Sequence, residues 1–251
     1  MIVIIKAIIM DLDDTLLRRD KTFSEVTLDT LKKCSAGGIK LIFATGRGTS
    51  SQKLVPYNLF DARVMYNGAI AEIDSETVYS QLIGPHLYCP FILEMGRLNL
   101  RAAAEIGGIH HANFNVSSMW ERNFVISDFT DMTKSAEKLY VILNNSEDEE
   151  KINKKLPAEL YAHFTKDSLA LIMNKKATKV AALSCVLERM NITLDEVIAF
   201  GDDVNDKEML EKCGTGVAMS NAGDEVKRVA DAVCRDCDAD GLANYLMAHI
   251  L

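Results

Sequence analysis

The sequence predicts an α/β fold in which a doubly wound parallel sheet is interrupted by an inserted α+β domain. In the first part of the chain, short apolar runs alternate with segments of helical pattern, which is typical of parallel strands joined by crossover helices. From about Leu82 this alternation gives way to several strand-like stretches with few helices, and it returns at Thr178. We therefore expect residues 1–81 and 175–251 to form one domain, and residues 82–174 to form a second domain inserted into it.

The first strand is predicted at residues 2–10, because this almost unbroken apolar run rich in β-branched residues suits a strand buried on both faces. A helix is predicted at about residues 24–36, with Thr22 and Ser24 as candidate N-caps. The alternation continues with a strand at residues 40–44, a helix at 49–58, a strand at 63–67, a tight turn at Asn67-Gly68 and an extended stretch at 69–73.

The inserted segment and the last part of the chain have different patterns. In the insertion we predict a helix at residues 91–106, strands at 123–127, 139–143, 160–164 and 168–173, and a charged helix at 146–155. In the last part we predict helices at residues 178–190, 207–212, 225–229 and 242–250, and strands at 196–200 and 215–219.

The composition is that of an ordinary globular protein, with 48% hydrophobic and 25% charged residues among 251. The net charge of −8 argues against a general nucleic-acid binder, which is normally basic. No apolar stretch reaches transmembrane length, and the first apolar run contains Lys6 and lacks a small-residue cleavage site. We therefore expect a cytoplasmic protein without nucleic-acid or membrane partners, and either a monomer or a weak homo-oligomer.

The six cysteines are scattered along the chain, and in a cytoplasmic protein of this size we expect them to be reduced. Cys234 and Cys237 have the spacing of a metal or redox site, but neither a second cysteine pair nor a histidine pair accompanies them. This spacing alone is a weak indication of either kind of site.

Polar residues follow three of the predicted strands at the point where each strand ends. Because the carboxyl ends of parallel strands share one crevice, we expect the following side chains to converge: Asp11, Asp13, Thr45, Asp202 and Asp206. Several carboxylates at one edge repel each other unless a divalent cation binds, and hard oxygen ligands suit Mg²⁺. A structural rim of salt-bridged carboxylates is the alternative that the residues leave open.

Four motifs occur in an order that resembles the haloacid dehalogenase-like phosphatases, specifically the Cof-like group with a large α+β cap. The motifs are Asp11-Leu12-Asp13-Asp14-Thr15-Leu16-Leu17, Thr45-Gly46-Arg47, Lys179 with the following Ala182-Leu183, and Gly201-Asp202-Asp203-Val204-Asn205-Asp206. The resemblance implies a Rossmann-like core that carries the chemistry and a cap that acts as a lid and sets substrate specificity.

The chain departs from the pattern of this group at two positions. Asp14 stands where the group usually has glycine, and Val180 replaces the glycine that usually follows the lysine of the third motif. Lys175 and Lys176 are close enough in sequence to be rivals of Lys179 for that role.

The resemblance also implies a two-step phosphoryl transfer. Asp11 would attack phosphorus to form an aspartyl phosphate, and Asp13 would protonate the leaving alcohol and then deprotonate the hydrolytic water. Mg²⁺ would be held by Asp11, the backbone carbonyl of Asp13 and Asp202. Asp206, together with Asn205, would orient the metal shell.

The same resemblance assigns the residues that bind the phosphate. Thr45 and Lys179 would donate to the transferring oxygens, with Gly46 and Asn205 also beside the phosphate. Arg47 could either contact the phosphate or pair with a surface carboxylate, and the sequence leaves both possibilities open.

These observations predict a Mg²⁺-dependent phosphatase that acts on small phosphorylated metabolites, with sugar phosphates as the expected substrates. Two alternatives remain: a phosphomutase acting on hexose phosphates, and a non-catalytic module that binds phosphorylated metabolites. In the inserted domain, candidate substrate contacts are His111, Trp120 and Arg122, and Asn67 is a further candidate in the core.

Overall fold

The computed structural model describes residues 4–118, 123–165 and 167–251. These residues form two compact units, one comprising the chain up to Ser80 together with Thr178–Leu251, and the other comprising Gln81–Ala177. Among the residues described, no helix is both long and apolar enough to cross a membrane.

The strands are numbered in chain order. Their bounds are β1 Ala7–Met10, β2 Lys40–Ala44, β3 Ala62–Met65, β4 Ile70–Ile73, β5 Glu76–Ser80, β6 Arg101–Ile106, β7 Ile109–Ala112, β8 Phe124–Ile126, β9 Lys138–Ile142, β10 Leu160–Phe164, β11 Leu169–Asn174, β12 Val197–Gly201, β13 Thr215–Met219 and β14 Ala232–Cys234. The helices are α1 Glu25–Ala36, α2 Pro85–Arg97, α3 Glu147–Lys155, α4 Lys179–Arg189, α5 Lys207–Lys212, α6 Asp224–Lys227 and α7 Gly241–His249.

The first unit is built on an eight-stranded sheet in the order β14-β13-β12-β1-β2-β3-β4-β5. The strands from β14 to β3 run parallel, whereas β4 and β5 form an antiparallel edge. The chain moves outward from β1 to β3 and later returns on the other side of β1, where Met10 pairs with Phe200 of β12. The order therefore reverses between β1 and β12, and ligands of open parallel sheets bind at the carboxyl ends of such a pair.

Helices cover both faces of this sheet, which is why β1 and its neighbours are apolar on both sides. On one face, Ile9 and Val64 share a buried cluster with Val186 of α4 and Leu210 of α5. On the other face, Phe200 packs edge-to-face against Tyr245 of α7, which itself packs against α1. This explains the continuous apolar pattern of residues 7–10.

The second unit contains a six-stranded sheet in the order β10-β11-β9-β6-β7-β8. Neighbouring strands are antiparallel except β7 and β8, which are parallel. Ile92 of α2 and Ile152 of α3 pack with Leu139, Val141 and Ile172 in one buried cluster on this sheet. The sequence pattern of an α+β unit with few helices agrees with this arrangement.

Two predicted helices are wrong. Residues 49–58 form two short 3-10 helices, Thr49–Lys53 and Tyr57–Leu59, instead of one α-helix. Pro56 lies between them and cannot donate a helical hydrogen bond, and the Ser51 hydroxyl bonds to the carbonyl of Gly48.

The predicted helix at residues 91–106 combines a helix and a strand. Helix α2 starts at Pro85 and ends at Arg97, and Asn99 then adopts a left-handed backbone with φ of 57°. The run of alanines at 102–104 favours a helix by propensity, but in the structure it lies buried in β6 between two other strands. Tertiary pairing overrides local preference at this point.

Smaller differences concern caps and edge strands. Ser24 caps α1 by accepting from the backbone of Thr27, so Thr22 is not the N-cap. Strands β5, β7 and β14 were not predicted. Strands β5 and β14 lie at the two edges of the eight-stranded sheet, and β7 and β14 have only four and three residues. The turn before β5 uses Asp74 and Ser75, which both have positive φ without being glycine.

Candidate active site

The candidate active site lies where the first unit's parallel strands end. Asp11 directly follows β1, and its backbone N–H donates to the carbonyl of Phe200 at 3.0 Å. Thr45 directly follows β2, and Asp202 directly follows β12. The sequence-predicted loops therefore meet at one edge of the sheet.

Lys179 is the centre of a buried cluster of charges. Its Nζ lies 2.6 Å from Oδ1 of Asp11 and 2.5 Å from Oδ1 of Asp206. All three residues are buried, with Lys179 3% and Asp206 0% exposed. Helix α4 presents the lysine as its first residue, and the Thr178 hydroxyl caps that helix by accepting from the backbone N–H of Ala181.

The electrostatics of this cluster are dominated by burial. Burial raises the pKa of Asp11 well above its usual range; Lys179 counters this effect, while the carboxylates of Asp206 and Asp202 reinforce it. Burial acts to lower the pKa of Lys179, but Asp11 and Asp206 outweigh it, so the pKa is raised and the ammonium stays charged.

Asp206 is held at both carboxylate oxygens. Its Oδ1 accepts from Lys179, and its Oδ2 accepts from the backbone N–H groups of Asp202 and Asp203 at 3.2 and 3.1 Å. A Cβ at Gly201 would lie only 2.5 Å from the Cβ of Asp206, so glycine is needed where the strand passes this side chain. Asp206 thereby fixes both the acidic loop and the lysine.

Asp202 lies at the same edge with fewer neutralising contacts. The Thr15 hydroxyl donates to its Oδ1 at 2.7 Å. Burial raises the pKa of Asp202 to about 7, the Thr15 hydrogen bond works against that rise, and nearby carboxylates add to it.

Asp11, Asp202 and Asp206 could together hold a metal ion, since carboxylate oxygens from all three lie within 4.8 Å of one another. The donor set consists of hard oxygens, which suit Mg²⁺. Burial, reinforced by neighbouring carboxylates, raises the pKa values of Asp11 and Asp202, and a bound cation would favour their ionised forms. The residues present therefore fit a divalent cation.

Asp13 faces a different set of partners. Arg47 donates to both of its carboxylate oxygens, with Nε at 2.6 Å from Oδ2 and Nη2 at 2.7 Å from Oδ1. Lys21 Nζ lies 3.1 Å from Oδ1 of Asp13 and 2.8 Å from Oδ1 of Asp14. Burial acts to raise the pKa of Asp13, but Arg47 and then Lys21 lower it below its usual value.

The turn after β3 holds the Thr45–Arg47 loop in place. The N–H of Asn67 donates to the carbonyl of Thr45, and the N–H of Tyr66 donates to the carbonyl of Arg47, both at 2.9 Å. Asn67 also accepts from the Asn205 side chain through its Oδ1 at 3.1 Å. This turn thus links the second and fourth motifs.

The structure places the sequence-predicted site residues in two hydrogen-bonded groups at this edge of the sheet. Lys179 connects Asp11 with Asp206, whose Oδ2 accepts from the backbone N–H of Asp202. Arg47 connects Asp13 with the Thr45 hydroxyl, the Asn205 side chain donates to Asn67, and Gly46 lies next to the Asn67 side chain. Of the two possibilities for Arg47, the structure has it paired with a carboxylate, that of Asp13. Lys175 and Lys176, the rivals of Lys179, are exposed.

Sequence reasoning missed three residues of this site. Thr15 contacts Asp202, Lys21 contacts Asp13, and the Asn221 side chain donates to the carbonyl of Asp14 at 2.8 Å. Thr15 belongs to the first of the four motifs, whereas Lys21 and Asn221 lie outside them. The unusual Asp14 was the one signal that pointed towards a cation such as Lys21.

Other candidate residues have different environments. Cys234 and Cys237 are buried, and burial raises their thiol pKa values to about 12 and about 11, which disfavours the thiolate needed for redox or metal chemistry. His111 is half-buried, with Nδ1 3.0 Å from the Ser127 hydroxyl. Trp120 and Arg122 lie outside the described residues.

Comparison with known proteins adds independent evidence. Residues 8–246 match the family described as haloacid dehalogenase-like hydrolase. Phosphatase YwpJ of Bacillus subtilis is 28% identical to the chain over an alignment of 290 residues, gaps included. The alignment covers 98% of this chain and 100% of YwpJ.

A second Bacillus subtilis relative is 5-amino-6-(5-phospho-D-ribitylamino)uracil phosphatase YitU. It is 26% identical to the chain over an alignment of 263 residues, gaps included, which covers 96% of both chains. Among solved structures, BT1666 from Bacteroides thetaiotaomicron, described among phosphatases of the haloalkanoate (HAD) enzyme superfamily, has a TM-score of 0.86 at 25% identity. That match covers 98% of this chain and 96% of BT1666.

Proposed function

The chain belongs to the haloacid dehalogenase-like hydrolases and is a phosphatase of small phosphorylated substrates, and from this we propose that it hydrolyses sugar phosphates with Mg²⁺ through an aspartyl phosphate. The observation that carries the proposal is the pair of carboxylates after β1, each held by a different cation. Lys179 contacts Asp11, whereas Arg47 contacts Asp13. Two carboxylates in different environments suit two different chemical roles.

Asp11 is the nucleophile of the proposed reaction. Lys179 occupies its Oδ1, which leaves Oδ2 for attack on phosphorus. A bond forms between this oxygen and phosphorus, and the bond between phosphorus and the ester oxygen breaks. Lys179 and Thr45 donate to the transferring oxygens, where negative charge has to be stabilised.

Asp13 moves the proton in both steps. It gives a proton to the leaving ester oxygen, and then takes one from the water that attacks the aspartyl phosphate. Inorganic phosphate is released and the Asp11 carboxylate is restored. Because Arg47 and Lys21 favour the ionised form, we propose that the Asp13 carboxyl group turns away from Arg47 when it acts as the acid.

Mg²⁺ is supported by the fit between a divalent cation and the acidic cluster. Held by Asp11, the Asp13 backbone carbonyl and Asp202, it would supply the positive charge that allows a phosphate dianion to approach a carboxylate. Because both oxygens of Asp206 already accept hydrogen bonds, we propose that Asp206 positions Lys179 and the loop of Asp202.

The substrate class is supported by one relative and by the rim of the site. YitU is named for a substrate with a phosphorylated ribityl group. Gly46, Arg47 and Asn205 lie at the rim, where we propose that they contact the phosphate or the group attached to it. We also propose that the inserted unit sets the preference among substrates.

The proposal is tested by hydrolysis of p-nitrophenyl phosphate with and without Mg²⁺, in the wild type and in Asp11→Asn. We expect metal-dependent phosphate release that falls by at least about a thousandfold in Asp11→Asn. Asp29→Asn is the matched control, because Asp29 is an exposed carboxylate on α1 that pairs with Lys32. Equal activity of Asp11→Asn and the control would contradict the assignment of the nucleophile.

A second assay separates hydrolysis from transfer between hydroxyl groups. Hexose phosphates are incubated with the enzyme, and both inorganic phosphate and isomerised hexose phosphate are measured. Phosphate release without isomerisation is expected. Isomerisation without net phosphate release would instead identify a mutase.

A further inference from the structure

Lys21 occupies a position beside Asp13 that none of the four motifs explains. Its ammonium contacts the carboxylates of Asp13 and Asp14 at 3.1 and 2.8 Å. An ammonium group has three N–H donors, and these two contacts account for two of them. The Lys21 side chain is 37% exposed, so the charge is also accessible from solvent.

The backbone around this lysine is strained in two places. Asp14 has φ of 58° and Lys21 has φ of 62°, both in the left-handed region that glycine adopts most easily. The carbonyl of Asp14 accepts from Asn221, and the N–H of Lys21 donates to the carbonyl of Arg18 at 2.8 Å, which hold the two conformations. A glycine at position 14 would relieve the strain there but would remove the carboxylate that contacts Lys21.

Arg47 places a second positive charge against the same carboxylate. It donates to both oxygens of Asp13, and its side chain is 29% exposed. Two partly exposed cations therefore flank the residue that is the proposed acid for the leaving group. A general acid has to lie within hydrogen-bond reach of the leaving oxygen. When Asp13 turns away from Arg47 to protonate that oxygen, the Arg47 donors that it occupied are released beside the departing group, and Lys21 lies 3.1 Å from the starting position of the carboxylate.

We propose that Lys21 and Arg47 bind a second anionic group on the leaving part of the substrate. The preferred substrates are then phosphate compounds that carry a carboxylate or a further phosphate next to the oxygen that leaves. Charged hydrogen bonds to Lys and Arg recognise both groups by the same chemistry. This inference deepens the proposed function and rests on Asp13 acting at the leaving oxygen.

The test compares two pairs of small substrates that differ in this anionic group. Phospholactate differs from isopropyl phosphate in that a carboxylate replaces one methyl group, and methyl diphosphate is compared with methyl phosphate. We expect kcat/KM about tenfold higher for the anionic member of at least one pair, chiefly through a lower KM. The preferred pair identifies the second group as a carboxylate or a phosphate.

Variants then connect the preference to Lys21. In Lys21→Met the ratio of the two kcat/KM values is expected to fall below that of the wild type, leaving only the difference that the two leaving groups produce by themselves, and in Lys21→Arg it is expected to stay high. Asp14→Gly keeps a residue suited to the left-handed backbone but releases the lysine, so its ratio is expected to fall as well. Lys33→Met, at an exposed lysine of α1, is the matched control and should keep the wild-type ratio.

The outcomes separate this inference from the proposed function. Failure of the enzyme to hydrolyse any phosphate ester, including p-nitrophenyl phosphate, would contradict the proposed function itself. Hydrolysis of both members of both pairs at equal kcat/KM would overturn the inference alone. An unchanged preference for the anionic substrates in Lys21→Met would also overturn it. If Lys21→Met does not fold, an unchanged preference in Asp14→Gly would have the same meaning.

Discussion

The ammonium nitrogen of Lys179 lies 2.6 Å from a carboxylate oxygen of Asp11, although the two residues are 168 positions apart in the chain. Asp11 leaves β1 at its carboxyl end, and Lys179 begins the first helix after the inserted segment. The same ammonium contacts Asp206, so one buried cation is shared by two buried carboxylates. The site is therefore formed by two distant parts of the chain, with Asp11 after β1 and Lys179 at the start of α4.

Replacing Lys179 with methionine is expected to reduce both stability and activity. The change leaves Asp11 and Asp206 buried without their cation, and removing one partner of a buried ion pair typically costs about 3–5 kcal/mol. The free energy of unfolding is measured by urea denaturation near neutral pH, and the activity with p-nitrophenyl phosphate. Lys175→Met, at an exposed lysine, is expected to change neither.

A double variant separates the loss of charge from the loss of packing. In Lys179→Met with Asp206→Asn, one unpaired carboxylate has been removed as well, so part of the lost stability is expected to return. Strict additivity of the two single changes would contradict the ion pair as the source of the effect. Activity is expected to remain low, because the phosphate would still lack the lysine.

Asp202 gives the metal-free protein a stability that depends on pH. Burial raises the pKa of Asp202 in the folded protein to about 7, from a usual value of 3.8. Between these values the folded protein keeps a proton that the unfolded chain releases, so its stability falls as the pH rises through this window. Asp202→Asn cannot titrate, and its Oδ1 can still accept from Thr15.

We therefore expect metal-free Asp202→Asn to be more stable than the metal-free wild type at about pH 8, with the difference shrinking as the pH falls towards about 4. Urea denaturation in the presence of a chelator measures this difference at several pH values. An equal difference at every pH would exclude Asp202 as the titrating group. Adding Mg²⁺ should stabilise the wild type more than the variant, because the variant lacks the Asp202 carboxylate among the proposed metal ligands.

The sequence predicts the chemistry of the core better than its detailed geometry. Asp11, Thr45 and Asp202 were expected to converge because each follows a parallel strand, and this rule depends on strand order alone. The sequence left open whether Arg47 pairs with a carboxylate and did not identify Asp13 as its partner, because Arg47 and Lys21 reach Asp13 through their side-chain conformations. Periodicity does not encode such contacts.

The two wrongly predicted helices have different origins. The alanines of residues 102–104 favour a helix locally, yet they form β6 because strands on both sides pair with them. Pro56 gave a local signal that a helix at residues 49–58 would be interrupted. Avoiding the first error would have required knowledge of strands distant in the sequence. The second could have been avoided from the sequence alone.

Thr15→Val is expected to weaken Mg²⁺ binding. The Thr15 hydroxyl donates to Asp202 and stabilises its charged form, so its removal raises the pKa of Asp202 further and favours the protonated form. Because a metal ligand has to be deprotonated, we expect Mg²⁺ affinity near neutral pH to fall by about threefold to tenfold, as measured by calorimetry. Thr15→Ser retains the hydroxyl and serves as the control; identical affinities in the valine and serine variants would contradict the role of this hydrogen bond.

Gly68→Ala is expected to damage the site through the backbone that carries Lys179. Gly68 has φ of 99°, and an added Cβ would lie 2.1 Å from the carbonyl oxygen of Thr178, the N-cap of α4. The start of the helix would have to move, and Lys179 would move with it. We expect the melting temperature to fall and kcat for p-nitrophenyl phosphate to drop by at least about tenfold.

Gly38→Ala is the control that separates the effect of backbone strain from the effect of the close approach between a Cβ at position 68 and Thr178. Gly38 also has a left-handed backbone, with φ of 88°, but an added Cβ there would have no atom within 4 Å. Its alanine variant therefore reports only the cost of a left-handed alanine, about 1 kcal/mol. Because Gly38 follows α1 rather than contacting α4, its kcat is expected to match the wild type. Equal losses of kcat in the two variants would mean that general destabilisation, and not displacement of Lys179, limits the activity of Gly68→Ala.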